Sequence, residues 1–396
     1  MSRFGRTLHW WKRLVAFGLL GRPPIQPEDV PLWALTIPFR MWNTVCRYDG
    51  RSFEDMYAAK IHPVWRRLFP LRSLYLIFLF LWPLMALAHA VRRGTGAGTY
   101  WQGAMSRPEL SMLHPESDYT EQEWAWSRPD YALSMLYACL YDREKPDFLR
   151  LDDKHYFMEK ARAAGLPLPP TLSREEAQQA GGEFIVKDPT TDLGFGIALM
   201  DASELSDLEG DPIIQRRLRN HPVLRQIYPA DAPLSTLRVT TMLDPDTGEV
   251  TISRCAIRMG RDGAIADNTM QGGIWANIDM KTGKIKPGVT KKDFNVQEGG
   301  HPVRHHRHPD SGKTFAGVKV PWWEEGRALA ISAHQKLAPT APTLGWDVAL
   351  CEGAPVFLEV NVWTVVYDYE PPNDAFTPAA RLIIAAMGRL LTQHPD

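Results

Sequence analysis

Cysteine is scarce in this chain: Cys46, Cys139, Cys255 and Cys351 are widely scattered over 396 residues, and no two form a C-x-x-C pair. That spacing excludes a disulfide framework and a thiolate zinc site, and it fits reduced thiols in a cytoplasmic setting. Net charge is lacking too. The balance of 45 basic against 46 acidic residues leaves −1, so the whole chain offers no electrostatic case for nucleic acid. No Ser-His or Cys-His pair stands out as an activated nucleophile. The glycine loop at 188–196 carries neither the G-K-[ST] of a Walker A loop nor G-x-G-x-x-G. Long apolar runs are absent except for one.

That one is Leu74 to Val91, LYLIFLFLWPLMALAHAV, which meets the lower limit for crossing a bilayer but is interrupted by Pro83. Twelve lysines and arginines precede it against five acids, and Arg92 and Arg93 follow at once. A single span would leave one basic flank outside, against the positive-inside tendency. The expectation is a helix that dips into or lies on the inner leaflet, with arginines on anionic head groups, and the plainer alternative is a buried helix of a helical N-terminal domain. Trp33, Trp42, Trp65, Trp82, Trp101, Trp124 and Trp126 make the first third rich in indole, which suits an interface or helix packing. No secretory signal is read at the N-terminus. Residues 1–120 are expected to form this basic helical region and its linker, which is rich in Gly, Ser and Pro over 94–120.

From about residue 130 the pattern becomes α+β. Asp152 is placed to cap a helix ending near Ala164, with Lys154 in its first turn. The strand Glu183 to Lys187 runs into the loop holding Gly194 and Gly196, and Ile197 to Met200 returns from it. Such a loop can bring backbone N–H groups and a lysine to phosphate oxygens. Pro212 to Leu218 reads as a short strand leading into a connection. The strands Ser235–Met242 and Thr251–Met259 carry Arg238 and Arg258, which are candidates to clamp a phosphoryl group or a carboxylate. Asp267 and Asn268 begin a polar loop that reads as a lip for a second substrate. His301, His305, His306 and His308 lack an acidic or cysteine partner at ligand spacing, so they read as a polar loop for an anionic group rather than a zinc site.

The densest signal is Gly345 to Asn361. Alternation in Trp346–Ala349 and Val356–Asn361 about the turn Cys351–Ala354 predicts a β-hairpin. Glu359 and Asn361 then leave one face together, and pairing brings Asp347 beside them. Two carboxylates and an amide make an all-oxygen set suited to Mg²⁺ and its bridged phosphates. A polar outer face on an edge hairpin is the plainer reading of the same residues.

Taken in order, Leu151-Asp152-Asp153-Lys154, Val186-Lys187 with Gly194-Phe195-Gly196, Ile214-Gln215 and Asp347 with Glu359-x-Asn361 resemble the ATP-grasp superfamily. Gln215–Pro222, Ser235–Thr241, Asp267-Asn268 with Gly272-Gly273, His308–Gly312 and Gly345–Asp347 are similar to its sugar-transfer-associated, α-L-glutamate-ligase-related family. The resemblance spans roughly residues 125–370. It implies an α+β fold of two subdomains clasping ATP, preceded here by the helical, Trp-rich region. It divides the rest of the chain into a lid part at 121–210 and a metal-bearing subdomain at 211–396.

By the same resemblance Lys154 and Lys187 contact ATP phosphates, Gly194 and Gly196 form the phosphate lid, and Gln215 lies at the adenine hinge. Asp347, Glu359 and Asn361 hold one or two Mg²⁺ ions. Family ligases activate a carboxylate as an acyl phosphate and let an amine displace phosphate, which calls for positioning and charge neutralisation more than for a nucleophile. Three features depart from the pattern: Asp188 follows Lys187, Gly345 stands where many such ligases have arginine, and bulky residues follow Asn361. If the chemistry is retained, Arg238 or Arg258 takes that arginine's part. The expected function is an ATP- and Mg²⁺-dependent carboxylate–amine ligase at the inner membrane face, acting on a small or glycan-linked acid and amine. A non-catalytic nucleotide-binding scaffold and a phosphotransferase are the alternatives.

Overall fold

The computed structural model describes residues 147–362, apart from 190–195, 245–246, 269–271, 291–296, 299–300 and 303, together with scattered residues between 8 and 91. The chain divides into two compact units, Met1–Pro146 with Val365–Asp396, and Asp147–Thr364. In the first unit the helix α1, Pro63–Leu68, is described. Of the apolar run at 74–91, only Leu81 and Val91 are described, both helical and exposed. The linker at 94–120 lies outside the described residues. No described helix is long and apolar enough to cross a membrane.

The second unit opens with a 3₁₀ turn, Asp147–Asp152, that leads into α2, Lys154–Ala163. Its N-cap is Asp153, one residue later than the sequence pattern placed it. The Asp153 carboxylate accepts from the Tyr156 amide at 2.9 Å, while Asp152 is spent closing the 3₁₀ turn. A capping box of Ser173 and Glu176 starts α3, Arg174–Ala180, and Gly181 ends it. Around these lies a four-stranded antiparallel sheet in the order β1 (Thr171–Leu172), β4 (Ile213–Arg216), β2 (Glu183–Lys187) and β3 (Ile197–Asp201). Period-two alternation turns Phe184 and Val186 inward against Ala177, Ala202, Leu205 and Ile214. Lys187 closes β2 beside the glycine loop.

After the short helix α4, Pro222–Arg225, comes a six-stranded antiparallel sheet. Its order is β12 (Pro355–Asn361), β11 (Thr343–Leu350), β5 (Thr236–Leu243), β6 (Val250–Met259), β7 (Ile274–Asn277) and β8 (Val289–Thr290). Two further two-residue strands, β9 (Gln297–Glu298) and β10 (His301–Pro302), pair with each other. The 15-residue helix α5, Trp323–Leu337, covers one face of the large sheet. A Cβ on Gly326 would stand 3.2 Å from Leu237, which fixes how closely helix and sheet approach. Arg238, lying between the buried residues Leu237 and Val239, points to the opposite face.

One polar network lies inside the α5 face. The Trp346 indole N–H donates to Thr241 Oγ1 at 2.8 Å, and Thr241 lies 2.7 Å from His334 Nδ1. His334 Nε2 is 2.8 Å from the Ala341 carbonyl. A carbonyl can only accept, so the ring is the Nε2–H tautomer and Thr241 donates to Nδ1. Every group in the chain is thereby met, and His334 is fully buried. Burial pushes its imidazole down to about 4, against the opposing pull of the Ala341 carbonyl.

Candidate active site

The candidate site lies on the face of the large sheet away from α5, and strand register assembles it. Asp347 pairs across β11–β12 with Glu359 and across β11–β5 with Arg238. Arg238, Asp347 and Glu359 therefore stand in one row over three strands, with side chains on one face. Two residues along the strands, Asn361, Gly345, Thr240 and Arg254 form a second row. Thr236 opposite Arg258 lies in a third, on the other side of the Asp347 row. The hairpin read from the sequence is present, with its turn at 351–354 and a bulge between Asp347 and Val348 that the alternation did not reveal.

Asp347 is fully buried and doubly clasped. Arg238 reaches it through Nε and, at 3.1 Å, through its second guanidinium nitrogen, while Arg258 donates to Oδ2 at 2.6 Å. Burial alone would raise the Asp347 carboxyl, but the two guanidinium groups outweigh it and hold the acid well below the usual carboxylate range. Glu359 behaves oppositely. Burial of its carboxyl end, and then the neighbouring negative charge of Asp347, push it up to about 7. For Arg258, the pull of Asp267, Asp347 and Glu359 overrides the cost of burial, and its guanidinium is raised above its ordinary value.

Asp267 differs from its expected role as a substrate lip. It is buried, and its Oδ2 accepts from the Thr236 amide at 2.9 Å and from the Thr236 hydroxyl. The hydroxyl in turn accepts from Arg258 Nε at 2.9 Å, and Asp267 Oδ1 lies 3.6 Å from that nitrogen. Asp267 is thus the anchor that aims Arg258 at Asp347. Asn268 lies beside it, and its carbonyl accepts from the Gly273 amide at 3.0 Å. A Cβ on Gly273 would fall 2.2 Å from the Asp267 carbonyl oxygen, so only glycine allows the return. Thr236 was not singled out from the sequence, although its place two residues before Arg238 puts both on one face.

The small sheet brings Lys187 to the same place, and Lys154 at the start of α2 lies near it. Lys187, at the end of β2, lies close enough to feel the charges of Glu359, Lys154, Asp347 and Asp267. Burial is the largest influence and lowers its ammonium group, with Lys154 pushing the same way and the three carboxylates opposing. Gly196 takes a φ of 67° at the foot of the glycine loop, where its carbonyl accepts from the Asp188 amide at 2.9 Å. Gly194 lies outside the described residues. Gln215 is buried, and its amide turns to Thr171 Oγ1 at 3.4 Å and Met158 Sδ at 3.7 Å, so the side chain supports the small lobe.

His308 is fully buried, with Nε2 2.9 Å from the Gly260 carbonyl and its ring 5.6 Å from that of Tyr228. His305 bridges to Gly288. Among the described residues, no group of three or more His, Cys, Asp or Glu side chains could hold a metal ion. A cation at the carboxylate pair would therefore need Asn361 and phosphate oxygens as well. Asn361 fits that part: its buried amide nitrogen has no hydrogen-bond partner. A half-turn of the amide would put oxygen there instead, since the two atoms exchange places freely. Two carboxylates side by side, one of them raised, are also what a divalent cation relieves.

Two lobes, each with its own antiparallel sheet, and a carboxylate–amide row facing two lysines define an ATP-grasp fold. Residues 197–369 match the model of the sugar-transfer associated ATP-grasp family. Among solved structures, the chain is similar to a RimK domain ATP-grasp protein from Sphaerobacter thermophilus, at 14% identity and a TM-score of 0.32, over 60% of this chain and 69% of that one. It is similar to N5-carboxyaminoimidazole ribonucleotide synthetase from Thermotoga maritima at 12% identity and 0.34, over 65% of this chain and 56% of that one. D-alanine–D-alanine ligase from Bacillus anthracis, complexed with ATP, gives 12% identity and 0.32, over 66% and 69%. At such distances these likenesses say nothing about substrate. No curated protein matches the sequence.

Proposed function

We propose that this chain is an ATP- and Mg²⁺-dependent carboxylate–amine ligase working through an acyl phosphate. The observation that carries the reading is the meeting of Lys187 from the small sheet, and Lys154 from the start of α2, with Asp347 and Glu359 from the large sheet. Lysines on one side and oxygen ligands on the other are what a triphosphate bound between lobes requires. In this reading Lys154 and Lys187 neutralise phosphate oxygens, and Gly194 and Gly196 let the loop backbone approach them. The segment around Gln215 offers backbone groups to the adenine edge. Asp347, Glu359 and Asn361 would hold Mg²⁺, which when bound shields the phosphate charge.

The acid's carboxylate oxygen takes the terminal phosphoryl group and ADP leaves. An amine then attacks the activated carbonyl carbon, and inorganic phosphate departs with the former carboxylate oxygen. Arg258, aimed by Asp267 and Thr236, and Arg238 stand where negative charge gathers in both steps. The family's description and the basic, indole-rich first third favour a glycan-linked or envelope-precursor substrate at the inner face of the membrane. The test is ATP turnover with candidate acids and amines in wild type, Asp347→Ala and Glu359→Gln. Equal turnover in all three would remove the site. Nucleotide binding without phosphate release would point to a scaffold, and a phosphorylated product to a phosphotransferase.

A further inference from the structure

The second row of the active face has a gap in it. Gly345 sits between Thr240 on β5 and Asn361 on β12, directly paired with both, and contributes no side chain. Thr240 is 4% exposed, and its hydroxyl has no hydrogen-bond partner. The Asn361 amide nitrogen across the gap is buried and unpartnered as well. Arg254 stands on the far side of Thr240. Buried polar groups are almost always satisfied, and two unmet ones on either side of a glycine mark a place where something polar sits.

The chemistry of that occupant follows from the groups offered. With the Asn361 amide turned to the cation, the group left to the gap is the Thr240 hydroxyl, which can donate, so the complement is an oxygen acceptor such as a hydroxyl or a carboxylate oxygen. The gap lies two residues along the strands from the Arg238, Asp347 and Glu359 row, roughly 7 Å away. That is the span of a short carbon chain or one sugar ring. An acid whose carboxylate meets the arginine row would reach the gap with an oxygen substituent a few carbons away.

We infer that the notch over Gly345, with Thr240 as its reading group, selects a hydroxyl-bearing carboxylic acid, of sugar-acid or hydroxy-amino-acid type, over its deoxygenated counterpart. This rests on the ligase reading and adds the class of acid. The hydroxyl of Thr240 holds the substrate's oxygen, and the glycine supplies the room. An apolar analogue leaves that hydroxyl unmet in a closed site, which is how such sites reject it.

The experiment is calorimetric titration of the intact protein loaded with Mg²⁺ and a non-hydrolysable ATP analogue. Two matched pairs are used: glucuronate against cyclohexanecarboxylate, and serine against alanine. In wild type, at least one hydroxylated member is expected to bind at least about ten-fold tighter than its partner. Thr240→Val is expected to remove that preference and Thr240→Ser to restore it, with affinity for the analogue unchanged throughout. The thermal midpoint of Thr240→Val should not fall, since the lost hydroxyl makes no internal bond; a structural role would lower it. No preference in either pair, or a preference that survives Thr240→Val, overturns the inference and leaves the ligase reading standing if the analogue binds. Failure of wild type to bind the analogue overturns both.

Discussion

Asp267 accepts from both the amide and the hydroxyl of Thr236, and through that hydroxyl it sets the direction of Arg258. A loop acid so placed supports the site from beneath it. Asp267→Ala should therefore cost about 3 kcal/mol or more in urea unfolding, because it leaves Arg258 with one of its two buried acidic partners missing. A loss under 1 kcal/mol would mean that Asp347 alone holds the arginine.

Glu359 makes the more selective probe of the carboxylate row. Glu359→Gln keeps the size and removes a charge that Asp347 already opposes, so folding should be little affected. Mg²⁺-dependent nucleotide affinity should fall by about ten-fold, since cation affinity follows ligand charge. Nucleotide titrations with and without Mg²⁺ check this. Equal affinity in variant and wild type would take Glu359 out of the cation site.

His334 ties stability to pH. Its folded imidazole is pushed down to about 4, while the unfolded one titrates near the ordinary value of 6.5. Between those values the unfolded chain binds the extra proton. Stability is thus fully present above 6.5 and drains away as pH falls toward 4, by about 3 kcal/mol at most. His334→Gln should flatten that part of the curve, beyond whatever the carboxylates contribute. Urea midpoints at pH 7 and 4.5 for both proteins settle it, and parallel curves would count against the buried neutral ring.

Gly273 tests the loop from the side of shape. Gly273→Ala places a methyl 2.2 Å from the Asp267 carbonyl oxygen, and moving the loop should cost about 1–3 kcal/mol and disturb the aim of Arg258. Turnover falling in step with a lowered thermal midpoint is the expected pair of readings. A variant of wild-type stability would show the loop to be freer than its packing implies.

Membrane association is open to a separate check. Full-length protein should float with vesicles containing anionic lipid and stay behind with neutral ones, and raised salt should weaken the binding. Flotation that ignores lipid charge would argue against the arginines as the anchor.

Much of the site was legible because antiparallel pairing has a period of two. Glu359 and Asn361 share a face for that reason alone, and the turn between Leu350 and Pro355 brings Asp347 opposite Glu359. Lys154 and Lys187 were reached by resemblance of order and spacing, since a lone lysine at a helix start or strand end carries no chemistry of its own. What could not be read was the company each residue keeps. Asp347 meets arginines 109 and 89 positions earlier in the chain, and no local pattern encodes which strands lie side by side. Asp267 read as part of a substrate lip because composition does not reveal that a loop folds back beneath a strand.

Alternation and turn residues in the sequence were enough to determine the longer strands, the closing hairpin and which side chains share a face, because these depend on backbone geometry over a few residues. Sheet order was decided only in the folded chain, where burying the apolar face under α5 selects one arrangement of β12, β11, β5 and β6. That arrangement sets Arg238 and Arg258 on Asp347, raises Glu359, and leaves Thr240 and Asn361 facing each other across Gly345. Charge and hydrogen bonding act through space over a few ångströms, so they follow from the packing rather than from position along the chain.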